Sequence, residues 1–281
     1  MQETEAAFDQ YAASYDEEFT FSSVGKLQRD RVWRFLAKNI SPQTHPEVLE
    51  LNCGTGEDAL WFVKNGFKIT ATDISNEMVH VAKQKLGDKN TAVLQADISE
   101  VGVKLHDKKF DLIFSDFGGL NCLGANTLKE MDVIFSRLLN PGGRLIFVVM
   151  SRNCKWEQWY FKRKNEPRKA FRRRSAEGSE AVIFDKKFST WYYSPDEIAS
   201  FFTNHFSVNK YKPVGITLPP SYLDNYFKKR PLLLRMLNVL EKGLGGFSSL
   251  SDHADHFIID MVNNGNETKR IKDTPEKINK H

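Results

Sequence analysis

Val48-Leu49-Glu50-Leu51-Asn52-Cys53-Gly54-Thr55-Gly56-Glu57 is the stretch on which the fold turns. VLEL (48–51) is an unbroken apolar-rich run that reads as a buried strand, and Asp58 to Asn65 reads as a helix ending at Gly66. Between them the glycines make a tight turn. A strand that passes through a bare turn into a helix lets a ligand lie against backbone at a helix N-terminus. Gly54-Thr55-Gly56-Glu57-Asp58-Ala59 also satisfies the loose dinucleotide fingerprint, with Ala in the last place.

The same rhythm continues downstream. FKITATD (67–73), AVLQAD (92–97), FDLIFSD (110–116) and RLIFVVM (144–150) read as strands two to five. Helices over 76–86 and 128–139 and the turn Pro141-Gly142-Gly143 punctuate them. Alternating strands and helices imply βαβ units and a parallel sheet covered on both faces. Upstream, residues 8–19 and 26–39 read as two helices. After strand five the pattern breaks for about 45 residues. Ser194 then caps a helix with Pro195 at its first position, and 205–214 and 256–262 read as strands six and seven.

With 41% apolar and 27% charged residues, 281 residues can bury a real core and are too apolar for disorder. The longest apolar run near the middle, Leu145 to Met150, falls far short of the roughly 20 residues that span a bilayer. Cys53, Cys122 and Cys154 form neither a zinc pattern nor a disulfide framework. No metal is therefore expected, and the acidic N-terminus and the cysteine usage together predict a cytoplasmic location. Residues 151–175 hold ten Lys/Arg against two acids, a local basic patch in a chain whose net charge is +4.

The acids at the strand ends identify the ligand. A dinucleotide would set its pyrophosphate near the Glu50 carboxylate, which costs energy in a partly buried site. S-adenosylmethionine carries a sulfonium and an ammonium and no phosphate, so an acid there suits it. Asp73 can accept two bonds from ribose hydroxyls, and Asp97 one from the adenine amino group. On ELNCGTG, ATDIS with Met78, QADIS, FDLIFSD and LNPGGRLIF, the sequence resembles class I S-adenosylmethionine-dependent methyltransferases of the small-molecule type, over roughly residues 8–262. The resemblance implies an α/β fold. Its core is a Rossmann-like, seven-stranded, doubly wound sheet with the last strand antiparallel, under a lid built from the N-terminus and two insertions. It also implies that Glu50, Asn52, Gly54 and Gly56 hold the methionine end, where Asn52 replaces the usual glycine. Asp73, Ile74 and Met78 would surround the ribose and adenine, and Asp97 and Ile98 would flank the adenine. Ser115 would lie beneath the sulfonium, and Tyr15 would sit over the cofactor. S-adenosyl-L-homocysteine would be the product.

A single domain is expected over 1–262. It comprises a helical cap (1–45), a cofactor-binding core (46–150) and lid insertions at 151–195 and 215–254. A tail at 263–281 has the composition of a disordered segment. Ligands of open parallel sheets bind beyond the carboxyl ends of the strands, so the lid should enclose the acceptor. Tyr11, Trp156, Tyr192, Tyr193 and Tyr222 are the aromatic candidates for its walls, which suit a flat or lipophilic small molecule. His256, with His253 beside it, is the candidate base if the acceptor must lose a proton. The expected reaction is methyl transfer by in-line displacement, with O-methylation favoured. An RNA methyltransferase using the basic 152–174 stretch is the alternative, and a non-catalytic S-adenosylmethionine-binding module is a third reading. Nucleic acid is the disfavoured partner, no stable membrane insertion is expected, and either a monomer or a homodimer fits.

Overall fold

The computed structural model describes residues 2–87, 91–183 and 186–265. Seven strands form one sheet: β1 (Glu47–Leu51), β2 (Lys68–Asp73), β3 (Thr91–Gln95), β4 (Phe110–Ser115), β5 (Leu139–Met150), β8 (Phe206–Val214) and β9 (His256–Asn263). A hairpin of β6 (Ser179–Ile183) and β7 (Lys186–Thr190) stands apart from it. The sheet order is β3-β2-β1-β4-β5-β9-β8, with β9 antiparallel to both its neighbours and β1 to β5 parallel. This is the doubly wound sheet with an antiparallel last strand that the sequence predicted.

Alternation along each strand supplies two cores. Leu49, Ile113, Phe147 and Ile259 face the helices Ala125–Leu138 and Pro195–Phe201. Val48, Leu112, Ile146 and Ile258 face the helices Ser23–Asn39 and Glu57–Lys64. Strand order reverses between β1 and β4, so the chains leaving their carboxyl ends diverge and open a crevice. The site positions itself there.

Several elements differ from expectation. β3 stops at Gln95, so Asp97 lies two residues past the strand and caps a 3-10 turn instead of ending β3. The Pro141-Gly142-Gly143 turn lies within β5, because Leu139 already pairs with Phe110 before Arg144 pairs with Leu112. The aromatic N-terminal helix spans Gln2–Tyr15 and passes into a π-turn at Asp16–Thr20. The break after β5 contains a helix (Lys155–Arg163) and the β6–β7 hairpin, which sequence periodicity did not reveal. Ser194 caps its helix as expected, accepting from Glu197 N–H at 3.2 Å while Glu197 accepts from Ser194 N–H at 2.8 Å. Of the tail expected to be disordered, residues 266–281 lie outside the described residues.

A third apolar cluster joins both insertions to the second helix. Val24, Leu218, Leu223, Phe227 and Leu234 are buried together, with Trp156 and Tyr160 packed against them. The two insertions therefore share a small core with the second helix.

Candidate active site

Asp73, at the end of β2, braces the glycine turn with both carboxylate oxygens. Oδ2 accepts Gly54 N–H at 2.8 Å and Oδ1 accepts Ser75 N–H at 2.9 Å. Burial pushes its pKa up to about 6, against the pull of those two N–H donors. Gly54 takes φ 52°, and a Cβ there would point toward the Tyr15 ring at 3.8 Å. Asp73, Gly54, Ile74, Met78, Asp97 and Ile98 all line one cavity of about 1210 Å³. Asp97 is partly occupied as a cap, since its Oδ1 accepts from Ser99 N–H at 2.7 Å and from the Ser99 hydroxyl. Gly56 does not line the cavity. Its missing side chain serves helix packing, because a Cβ there would lie 3.0 Å from Ala82 Cβ.

Beneath the turn, carboxyl groups gather around one guanidinium. Arg29, on the buried face of the second helix, is ion-paired to Asp58, whose other oxygen accepts from Trp33 Nε1 at 2.7 Å. Glu50 is 2% exposed and Asp116 is 6% exposed. Burial first, then the neighbouring carboxylate of Asp58, holds both well above the usual carboxylate range, and Arg29 opposes the shift. Glu50 Oε2 and Asp116 Oδ2 are buried without a hydrogen-bond donor among the described residues. Such atoms are costly unless something else satisfies them. Asp116, Asp58 and Arg29 line the cavity, whereas Glu50 sits just below it. The arrangement suits a ligand that brings positive charge and N–H donors.

Asn52 takes φ 49°, the left-handed region that glycine and asparagine tolerate best. Its Nδ2 donates to Asp116 O at 2.8 Å and its Oδ1 accepts from the Ser115 hydroxyl, so it ties β1 to the loop after β4. Ser115 is thereby fully buried and does not itself line the cavity, while Asn52 does. Gly119 makes room for that side chain, since a Cβ there would lie 2.0 Å from Asn52 Cγ. Gly119→Ala should therefore cost about 1–3 kcal/mol by overpacking. Asn52→Gly should cost about 1 kcal/mol through lost hydrogen bonds. In the double variant the clash is gone, so thermal melts should show a strongly non-additive recovery. Simple addition of the two losses would mean that the contact is not the cause.

The N-terminal helix is pinned over this turn. Asp9 accepts from Ser75 Oγ at 2.5 Å and from Glu77 N–H at 3.2 Å. Asp16 accepts from Thr55 Oγ1 at 2.6 Å and from Lys85 at 2.7 Å. Tyr15 lines the cavity; Tyr11 packs edge-on against it, with ring centroids 5.1 Å apart, and stays outside the lining. Burial and then Glu18 push the Tyr11 pKa up to about 12.

On the lid side, Tyr192 and Tyr222 line the cavity, and Tyr193, Trp156, His253 and His256 do not. Tyr193 belongs to the core and donates its hydroxyl to Leu123 O at 2.6 Å. Trp156 donates to Thr217 O at 2.9 Å and packs on Phe227 within the lid core. His256 is buried, with Nδ1 3.2 Å from Asp255 and its ring edge-on to Phe117 at 5.2 Å. Phe117, held at φ 39°, takes the lining position in its place. His253 sits in a short 3-10 segment with its side chain 41% exposed. Among the described residues, no group of three or more His, Cys, Asp or Glu could hold a metal ion.

Part of the basic stretch turns inward. Arg173 is buried, donating to Glu157 at 3.0 Å and Asp255 at 2.7 Å, with its guanidinium 4.9 Å from the Tyr192 ring centre. Arg172 grips the same Glu157 at 2.7 and 3.2 Å, and Arg152 pairs with Glu197 at 2.6 Å. Arg173 thereby ties the insertion to the start of β9, and Arg152 ties it to the helix Pro195–Phe201.

Sequence reasoning missed Arg29, Asp58, Asp116 and Phe117, and it missed the hairpin residues Phe188 and Thr190 of the cavity wall. One signal was present. In KLQRDRVWRFL, Arg29 falls on the helix face that also carries Val32 and Leu36, and a charge on an apolar stripe needs a buried partner.

Residues 48–143 match a family model described as a methyltransferase domain. The match runs from β1 into β5 of the seven-stranded sheet. It is 30% identical over 148 residues to a demethylmenaquinone methyltransferase of Clavibacter sepedonicus, covering 52% of this chain and 57% of that protein. It is also 30% identical over 144 residues to a malonyl-[acyl-carrier protein] O-methyltransferase of Priestia megaterium, covering 50% and 48%. The chain spans about half the length of such curated relatives. Among solved structures, the DhpI–SAH complex superposes with a TM-score of 0.58 at 17% identity, over 94% of this chain and 97% of that one.

Proposed function

We propose that the protein is an S-adenosylmethionine-dependent methyltransferase acting on a small aromatic or lipophilic acceptor, with an oxygen as the preferred methyl acceptor. The observation that carries this reading is the set of buried carboxyls around Arg29 at the cavity floor, two of them with oxygens that receive no donor among the described residues. Two relatives, named for demethylmenaquinone and for malonyl-acyl carrier protein, lend support from sequence.

In this reading Asp116 faces the cationic methionine end beside the bare turn at Gly54, and the Glu50 carboxyl lies just beneath it. Asp73 offers its remaining lone pairs to the ribose, and Ile74, Met78, Asp97 and Ile98 enclose the adenine. Tyr15 closes over them from the N-terminal helix. The cofactor supplies a methyl group already activated by its sulfonium. The chain's own contribution is then placement, which for well-oriented reactants corresponds to roughly 7–11 kcal/mol of barrier. Tyr192, Tyr222, Phe117 and Trp191 wall the other half of the cavity and would orient a flat acceptor. Among the described residues no histidine lines that half, so the reading assigns the transfer no histidine base.

The test is calorimetry with S-adenosylmethionine followed by a labelled-methyl screen over phenols, quinols and short acyl carboxylates. Micromolar binding and label transfer to one of these classes is the expected result. Tight NAD binding without S-adenosylmethionine binding would sink the proposal.

A further inference from the structure

The helix Pro231–Leu244 leaves an apolar face in solvent. Leu232, Met236, Val239 and Leu240 recur at i, i+4, i+7 and i+8 and are 79%, 54%, 62% and 48% exposed, and Phe247 beyond the helix is 60% exposed. The opposite face is locked in place. Leu234 lies in the lid core, and the buried Glu241 carboxylate accepts the N–H groups of Gly215, Thr217 and Leu218 at 2.9, 2.7 and 3.3 Å. The helix cannot roll its stripe inward without stranding that carboxylate.

The charges around the stripe have one sign. Lys228, Lys229, Arg230, Arg235 and Lys242 are all exposed. From Asn225 to Phe247 the one acid is Glu241, which is buried. At the far end Lys212 donates to Gly246 O at 2.6 Å, and Arg31 packs against Gly245. Burial and then Lys210, Arg31 and Lys38 lower the Lys212 pKa, as expected where cations crowd together.

We propose that this face docks the protein on a membrane surface carrying anionic lipids. An amphipathic helix with cations beside an apolar stripe lies in the interface plane, its apolar side chains among the acyl chains and its cations on the headgroups. At 14 residues the helix is about 21 Å long. It lies on the bilayer, since no helix among the described residues is long and apolar enough to cross one. A second copy on the same stripe would bring two sets of cations together with no exposed acid between them, which opposes pairing. The site does not depend on methyl transfer. It would place the insertion that carries Ser221 and Tyr222 of the cavity wall beside the lipid.

Co-sedimentation at low salt tests this with vesicles of pure phosphatidylcholine and of equimolar phosphatidylcholine and phosphatidylglycerol. The anionic vesicles should bind the protein at least about tenfold more tightly. Leu232→Asp with Val239→Asp should abolish binding to either vesicle. Lys228→Gln with Lys229→Gln and Arg230→Gln should remove the preference for the anionic lipid while leaving the thermal melt unchanged. Because the latter three side chains are exposed, and Arg230 alone of them reaches a neighbour, the Tyr226 ring and carbonyl within its own turn, that variant decides the matter even if the aspartates disturb folding. Equal sedimentation of the wild type and the glutamine variant on both vesicles would overturn the proposal. So would a dimer by light scattering that the aspartate variant dissolves, in the absence of vesicle binding.

Discussion

Asp73→Ala should weaken S-adenosylmethionine binding at least about a hundredfold, because each hydrogen bond to a charged group contributes roughly 1.5–3 kcal/mol and this carboxylate serves two structures at once. Its oxygens hold Gly54 N–H and Ser75 N–H, so the turn loses its brace in the same stroke that removes the ribose acceptor. Asp73→Asn should be nearly as harmful. Whichever oxygen becomes an amide nitrogen then faces a backbone N–H, donor against donor. The pH dependence distinguishes the two roles. With the folded pKa raised to about 6, the fold favours the protonated form. That contribution to stability is fully present below the ordinary carboxylate value of about 4 and is lost as pH rises through about 6. Cofactor affinity should run the other way, rising over the same window as the carboxylate becomes available. Calorimetry and urea melts across pH 4.5–7.5, a range set by those values, should show opposite slopes in the wild type, both flattened in Asp73→Ala. Parallel slopes would mean that the group which titrates is not the one that binds.

The sheet was legible because its strands announce themselves one at a time. VLEL, FKITATD and FDLIFSD are short apolar runs bounded by turn residues, and their parallel arrangement follows from the helices between them. The glycine turn and Asp73 were legible for the same reason, since position relative to a strand end is a local property. The carboxyl cluster was not. Glu50 comes from β1, Asp58 from the first turn of the helix after it and Asp116 from the loop after β4, and Arg29 comes from a helix preceding all of them. Only the strand order at the crevice brings these four together. The role of Gly56 was misread because a bare position can serve a ligand or a neighbouring helix, and sequence does not say which. The β6–β7 hairpin was hidden because its strands lie in a charged, low-apolarity stretch whose burial is against the N-terminal helix, through contacts such as Phe8 with Phe188. The aromatic candidates divided for a related reason. Tyr192 and Tyr193 are adjacent on an extended segment, so their side chains point to opposite faces, one to the cavity and one to the core.

Arg29→Met should be the most damaging single substitution for stability, costing about 3–5 kcal/mol near pH 8, as expected when one partner of a buried ion pair is removed. The side chain is 7% exposed and is the cation paired to Asp58; burial pulls its pKa down, but the carboxylates of Asp58 and Asp116 outweigh that and hold it above the ordinary arginine value. It also lies over the rings of Phe19 and Phe117, at 5.9 and 5.2 Å from their centroids. Its loss therefore loosens the π-turn and the loop after β4 together. The deficit should shrink as pH falls. Glu50 and Asp116 already titrate well above the usual range, so their contribution favours the fold at low pH and is lost as pH rises through those values. Taking away the cation that opposes the shift moves them higher still, and a neutral carboxyl tolerates burial far better than a charged one. Arg29→Lys keeps the charge but loses the planar fork, and it should fall between the two. Urea melts of the three proteins at pH 8 and pH 5.5 make the comparison. If Arg29→Met costs the same at both values, the guanidinium contributes by packing alone, and the charged floor on which the proposed cofactor site rests loses its electrostatic basis.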